Sequence, residues 1–134
     1  MKIIEVRTRA KEEMVDITIQ VKQEIASSGV KSGMCSVYVP HTTAGVTINE
    51  NADPAVAEDI LMTLQKIVPD SLTFKHSEGN SPAHLKACLI GSSVNILIDK
   101  GQLALGTWQG LFFCEFDGPR HRKAFIKVFS FLPE

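Results

Sequence analysis

The sequence predicts an α+β domain in which a mainly antiparallel sheet packs with two or three helices. Three observations point there. Short runs of alternating apolar residues recur along the chain, as in "KIIEVRT" and "SVNILI". Two pairs, Asp53-Pro54 and Ser81-Pro82, each combine a capping side chain with a proline suited to the first helical turn. Two β-rich segments, "QGLFFCEF" and "KAFIKVFSFL", close the chain with a turn between them.

The elements follow in order. "KIIEVRT" is a first strand. "MVDITIQVKQEIASSGV" carries both periods: Val15, Ile17, Ile19 and Val21 alternate, while Ile17, Val21 and Ile25 keep helical spacing. The reading adopted is a strand that turns into a helix near residue 17, with Asp16 able to cap it and "SSG" closing it. "MCSVYVP" is a strand stopped by Pro40, and "AGVTINE" is another, with Val46 and Ile48 on one face. After Asp53-Pro54, Val56, Ile60, Leu61, Leu64, Ile67 and Val68 follow at helical spacing until Pro69. Ser81-Pro82 opens a helix through "AHLKACLI", which Gly91 ends. "SVNILI" is a strand, "GQLALG" a short one, and the last two strands are expected to form a hairpin through "DGPRHR".

With 134 residues the chain is read as one domain, 1–134, long enough to bury roughly two thirds of its unfolded surface. A net charge of −1 gives no bulk attraction to nucleic acid or to an anionic membrane. The N-terminal segment has no signal-peptide core, and no run approaches the roughly 18 to 20 apolar residues of a membrane span. A soluble, cytoplasmic protein is expected. Cys35, Cys88 and Cys114 are odd in number and lack CxxC spacing, which fits a reducing compartment; each sits among apolar residues and is expected to be buried.

The chemistry-bearing residues stand at element junctions, where loops held by rigid elements carry binding groups. His41 follows Pro40 and precedes Thr42 and Thr43. Glu50, Asn51 and Asp53 lie between a strand and a helix. His76, Glu78 and Asn80 lie in a loop, and His84 is the third helical residue if Ser81 is the cap. There the positive end of the helix dipole disfavours an imidazolium, and a neutral ring is the form that ligates a metal. The free N–H groups of the same helix end suit a phosphate. A loop histidine eight residues upstream can fold back to meet it, with Asp53 or Glu50 supplying an oxygen ligand. The alternatives are structural. H-x7-H is no recognised zinc spacing. His76 and His84 read equally as hydrogen-bonded loop and cap residues, Asp53 as a helix cap, and His41 as a strand-end ring bonded to the backbone. His121, between Arg120 and Arg122, reads as a solvated turn residue. Trp108 is either core packing or a ligand wall.

The blocks "PHTTAGVTINENADPAV", "KHSEGNSPAHLKACLIGSS" and "GQLALGTWQGLFFCEFDGPRHR" resemble those of the YjbQ-like family, uncharacterised protein family 0047, also described as secondary thiamine-phosphate synthases. The resemblance runs in order from about residue 3 to residue 131. It implies a compact α+β fold, a homotrimer, and a site of histidines and acids. Carried over by position, catalytic roles fall to His41, His76, His84 and Glu50. Substrate contacts fall to Thr42, Thr43, Asn51, Asn80, Lys86, Trp108, Gln109 and Arg120. A divalent metal, Mg or Zn, would be held by His76, His84 and Asp53. The reaction implied joins a pyrimidine methyl diphosphate to a thiazole phosphate and releases diphosphate. The alternatives are a metal-dependent hydrolase and a non-catalytic module binding a metal or a phosphorylated ligand. Apolar residues on both sides of "FFCEF" and "FIKVFSF" independently suggest a sheet covered by neighbouring copies.

Overall fold

The two periods overlapping between residues 14 and 30 resolve as the pattern suggests. In the computed structural model, which describes residues 1–131, strand β2 (Glu13–Asp16) gives way directly to helix α1 (Thr18–Ser28). The cap position is Ile17, and Asp16 secures the start by accepting hydrogen bonds from the Thr18 N–H, at 2.9 Å, and its hydroxyl. Gly29, with φ at 71°, ends the helix in the left-handed conformation that glycine adopts without strain.

The remaining elements are β1 (Lys2–Arg7), β3 (Gly33–Tyr38), β4 (Ala44–Glu50), α2 (Pro54–Ile67), α3 (Ser81–Ile90), β5 (Ser93–Asp99), β6 (Gln102–Leu103), β7 (Gln109–Glu115) and β8 (His121–Ser130). Among the described residues, three helices and antiparallel strands make an α+β fold. The Asp53-Pro54 start signal opens α2, where the Asp53 carboxylate accepts from the Ala55 N–H at 2.9 Å. At α3 the signal is displaced by one: Asn80 occupies the cap position and Ser81 is already helical, so His84 is the fourth helical residue. The short strand of "GQLALG" shrinks to the two residues of β6. The last residue of the expected final strand, Leu132, lies outside the described residues.

The strands form two sheets. One has the order β1-β8-β3-β5-β6, the other β2-β7-β4. This corrects the expected hairpin: β7 and β8 belong to different sheets, and "DGPRHR" carries the chain from one to the other. Two apolar cores explain why. Leu111 and Phe113 of β7 face α1 and the inner side of the larger sheet, in a core with Val21, Ile25, Val37, Ile96 and Ile126. Phe112, Cys114 and Phe116 face the opposite way, against Leu64 of α2 and Ala83 and Ala87 of α3. Both faces of β7 are thus buried within one chain, each phenylalanine contributing about 1.5–3 kcal/mol. "FFCEF" therefore needs no neighbouring copy to cover it.

The outer face of the larger sheet has no such cover. Ile3, Tyr38, Leu97 and Phe129 are exposed there, and the register sets them beside Phe125 and Met34. Cys35 and Cys114 are buried as expected, and burial pushes their thiols up to about 11 and about 12. Cys88, on α3, is exposed instead, because the buried face of that helix is carried by Pro82, Ala83, Lys86 and Ala87. No described helix is long and apolar enough to cross a membrane.

Where the chain passes between sheets, it is clamped by a buried ion pair. Glu115 ends β7 with its side chain 0% exposed, and Arg122 opens β8 at 6%. The guanidinium donates to both Glu115 oxygens and, at 2.8 Å, to Thr43 Oγ1, while the Thr8 hydroxyl donates to Glu115 at 2.7 Å. Between them Gly118 is required by space: a Cβ there would lie 2.3 Å from the Ala10 carbonyl oxygen. Removing one partner of such a pair strands a buried charge and costs about 3–5 kcal/mol. Arg122→Ala is therefore expected to lower stability in urea by that amount. Arg120→Ala, whose side chain is half exposed, should cost about 0–1 kcal/mol. Equal midpoints for the two variants would show that the clamp does not hold the sheets.

Candidate functional site

The ends of β3 and β4, the loop before α3, the first turn of α3 and the crossing segment 117–122 meet at one end of the molecule. They border an open cavity of about 660 Å³. Three of the four histidines line it: His41, His76 and His84. Thr42, Thr43, Glu78, Asn80 and Arg120 also line it, so eight of the residues singled out in the sequence converge here.

His41 is held by the backbone. Pro40 ends the strand, and the ring's Nε2 accepts a hydrogen bond from the Lys123 N–H at 3.0 Å, with Phe113 edge-on at 6.4 Å between centroids. Burial and, after it, the nearby Arg122 guanidinium lower its pKa below the ordinary value. A neutral ring that accepts at Nε2 carries its proton on Nδ1, so His41 is a fixed donor.

His76 and His84 meet edge to face, their ring centroids 5.3 Å apart. Glu78, exposed in the same loop, lies 4.0 Å from His76 Nε2. On the other side of the cavity Asp117 accepts from Asn80 Nδ2 at 3.0 Å and from Arg120 at 3.1 Å. Arg120 Nε also donates to the Asp117 carbonyl at 2.8 Å, which fixes the guanidinium beside the cavity. Burial would raise the Asp117 pKa, but the hydrogen bonds from Asn80 and Arg120 and the charges of Arg120 and Arg122 outweigh it, and the net shift is downward. Glu115 behaves alike: burial is opposed by hydrogen bonds from Arg122, Thr8 and the Asp117 N–H, and its pKa is lowered. Asn80 Oδ1 is buried and has no hydrogen-bond partner among the described residues.

Six of the expected site residues lie elsewhere. Glu50 and Gln109 are register partners at the far end of β4, about 20 Å along the strand from Thr43. Asn51 donates to Asp16 at 3.1 Å, and its backbone N–H to the Trp108 carbonyl. Gln109 accepts from the Gly106 N–H. Trp108 is neither core nor cavity wall: it is exposed on a turn at that same far end. Asp53 caps α2 and does not line the cavity. Lys86 is buried on α3, where Glu12 and Gln65 take up its ammonium group; it ties the helix to α2 and to the β1–β2 loop and cannot reach a substrate. His121 lies 3.5 Å from Glu5 at the start of β8 and outside the cavity.

The expected metal set is therefore dispersed. A zinc site takes three or four protein ligands. Among the described residues no three histidine, cysteine, aspartate or glutamate side chains are placed to hold an ion. Asp53 cannot join His76 and His84 within one chain, because the strand that leads to it runs away from them.

Sequence reading missed Tyr38, Asp117 and Arg122 as cavity residues. One signal was available. A single carboxylate inside the apolar run "FFCEF" needs a buried cation, and the next arginines along the chain are Arg120 and Arg122.

Comparison with known proteins agrees with this fold. The profile of the family described as UPF0047 protein YjbQ-like matches residues 2–130. A UPF0047 protein of Methanocaldococcus jannaschii is 52% identical over 124 residues, covering 92% of this chain and 90% of that protein. The UPF0047 protein YugU of Bacillus subtilis is 45% identical over 129 residues, covering 96% and 98%. Among solved structures, a YjbQ/UPF0047 family protein of Clostridium acetobutylicum superposes with a TM-score of 0.94 at 53% identity, covering 96% of this chain and 100% of that one. A YbjQ-like protein of unknown function from Sulfolobus solfataricus superposes at 0.93 with 36% identity, covering 96% and 95%. By profile, by sequence relatives and by fold, the chain belongs to the YjbQ-like UPF0047 family.

Proposed function

We propose that the cavity binds a phosphorylated small molecule and moves protons on it. The observation that carries this reading is the convergence of three histidines and Arg120 on one cavity. Arg120, oriented by Asp117, offers a planar pair of donors to a phosphate. The start of α3 adds the positive end of a helix dipole. His41 donates through Nδ1. His76 and His84, the two rings in mutual contact, are the candidates to take and return a proton.

The finer reading comes from the family resemblance: thiamine-phosphate synthase activity. The bond between the pyrimidine methylene carbon and the diphosphate oxygen breaks, the thiazole nitrogen bonds to that carbon, and diphosphate leaves with the electron pair. The cavity supports this by supplying donors for the leaving oxygens. A stacking role for Trp108 and phosphate contacts from Lys86 form no part of the proposal. A metal-dependent hydrolase is less favoured, since its ligand set does not assemble within one chain. We place the activity in the cytoplasm, in keeping with three free cysteines. We also propose a homotrimer in which further copies cover the outer face of the larger sheet, where Ile3, Tyr38, Leu97 and Phe129 are exposed. Light scattering should give three chains of 14.7 kDa; a monomer at micromolar concentration would remove this part.

His84→Ala is expected to reduce turnover of the pyrimidine and thiazole phosphates about 10²–10⁴-fold, the usual contribution of a general acid or base. His121→Ala should leave it unchanged. Retained ligand binding without turnover in the unaltered protein would convert the reading to a binding module, and full activity in His84→Ala would sink it.

The pH profile supplies a separate check. The His41 pKa is lowered, so its neutral, Nδ1-protonated form persists below pH 6.5. That neutral, Nδ1-donating form, followed by NMR of the His41 ring, should hold through 6.5 and be lost only at more acid pH. The lowered carboxylates act later. Stabilisation from Glu115 and Asp117 is complete above the ordinary values of 4.5 and 3.8 and is lost as pH falls through their lower folded values. Loss of that form should therefore precede loss of far-UV circular dichroism. Coincident losses would show that acid unfolds the protein rather than titrating His41.

A further inference from the structure

The His76–His84 pair has a second side. The same two rings border a smaller surface depression, about 380 Å³ and open to solvent, completed by Phe74, Ser81 and Leu85. Its character is opposite to that of the first. Arginine and carboxylates are absent from its lining, and the groups beside the imidazoles are a phenyl ring, an isobutyl group and one hydroxyl. Phe74 stands two residues before His76 in the loop. Ser81, His84 and Leu85 share one face of α3 by their spacing. The two imidazoles thus stand between an open polar cleft and an open apolar depression.

We propose that the ligand is amphiphilic: its phosphate lies among Arg120, His41 and His84, and an aryl-sized apolar group crosses the histidine pair to rest on Phe74 and Leu85. This rests on the phosphate reading above. The physical case has three parts. Leu85 is 43% exposed although it flanks the site, so apolar surface is there to be removed from water at about 25 cal/mol per Å². The volume is of the size that takes a small organic group rather than a single water. The shared pair of rings fixes the ligand's layout, because whatever touches His76 and His84 from the polar side is one ring away from Phe74 and Leu85. The edge-to-face geometry also leaves imidazole faces on which a planar group can stack.

The test compares methyl phosphate with phenyl phosphate by calorimetric titration of the full chain. Phenyl phosphate is expected to bind at least tenfold more tightly. Leu85→Gln and Phe74→Ala should each remove most of that advantage while leaving methyl phosphate affinity unchanged. Leu85 is exposed and outside both cores, so Leu85→Gln should retain the circular dichroism spectrum even if Phe74→Ala does not. Equal affinity for the two phosphates, or an advantage that survives Leu85→Gln, would overturn the proposal and leave the phosphate reading standing. Binding of neither phosphate would overturn both.

Discussion

The buried pair of Glu115 and Arg122 is the constraint on which the rest of the structure depends. Glu115 closes a strand whose two faces are occupied by two different cores, and Arg122 opens a strand of the other sheet. An ion pair is an expensive way to join apolar layers, because both charges lose their hydration. Here the cost is offset by saturation: Glu115 accepts from Arg122, from the Thr8 hydroxyl and from the Asp117 N–H, and Arg122 also reaches Thr43. The six residues between the two charges have little freedom left. Asp117 and Arg120 are consequently presented to the cavity in a fixed arrangement, and Thr43 ties the HTT segment to the same point.

This explains why the cavity is built from such distant parts of the sequence. His41 is anchored to Lys123 of β8, next to Arg122. Asn80 is anchored to Asp117, five residues before it. The loop bearing His76 has fewer such ties, and its ring is set by contact with His84, which the helix positions. The cavity thus grades from a rigid side, resting on the ion pair, to a side formed by a loop and a helix start. The donors for an anion stand on the rigid side. The rings suited to proton transfer bridge to the other, where Phe74 and Leu85 lie.

Much of this was legible in residue patterns, and the failures share a cause. Periodicity placed the switch at Ile17 because the strand and helix patterns each dominate on one side of it. Proline after Asp53 and after Ser81 marked the starts of α2 and α3 to within a residue. Periodicity describes faces, not partners: "FFCEF" and "FIKVFSF" are both two-sided, and nothing local says that β7 pairs with β2 and β4 while β8 pairs with β1 and β3. A six-residue polar connection between two strands looks like a hairpin unless the pairing of Glu115 with Arg122 is foreseen. The candidate site residues divide for a related reason. His41, Glu50 and Asp53 are close in sequence, but β4 lies between them at full extension, so the strand that delivers His41 and Thr43 to the cavity carries Glu50, Asn51 and Asp53 away from it. Lys86 was misplaced because helical spacing alone does not show which face of α3 meets Glu12.

The central claim is that His41, His84 and Arg120 line one anion-binding chamber, with His41 and Arg120 on its rigid side. The most direct test is a crystal soaked in tungstate, a heavy-atom mimic of phosphate, with its position read from anomalous scattering. The account predicts a peak within hydrogen-bonding distance of Arg120 and His41, inside the cavity bounded by Asn80 and Asp117. A peak at the Asn51–Trp108 end of β4, or an empty cavity at saturating tungstate, would contradict it.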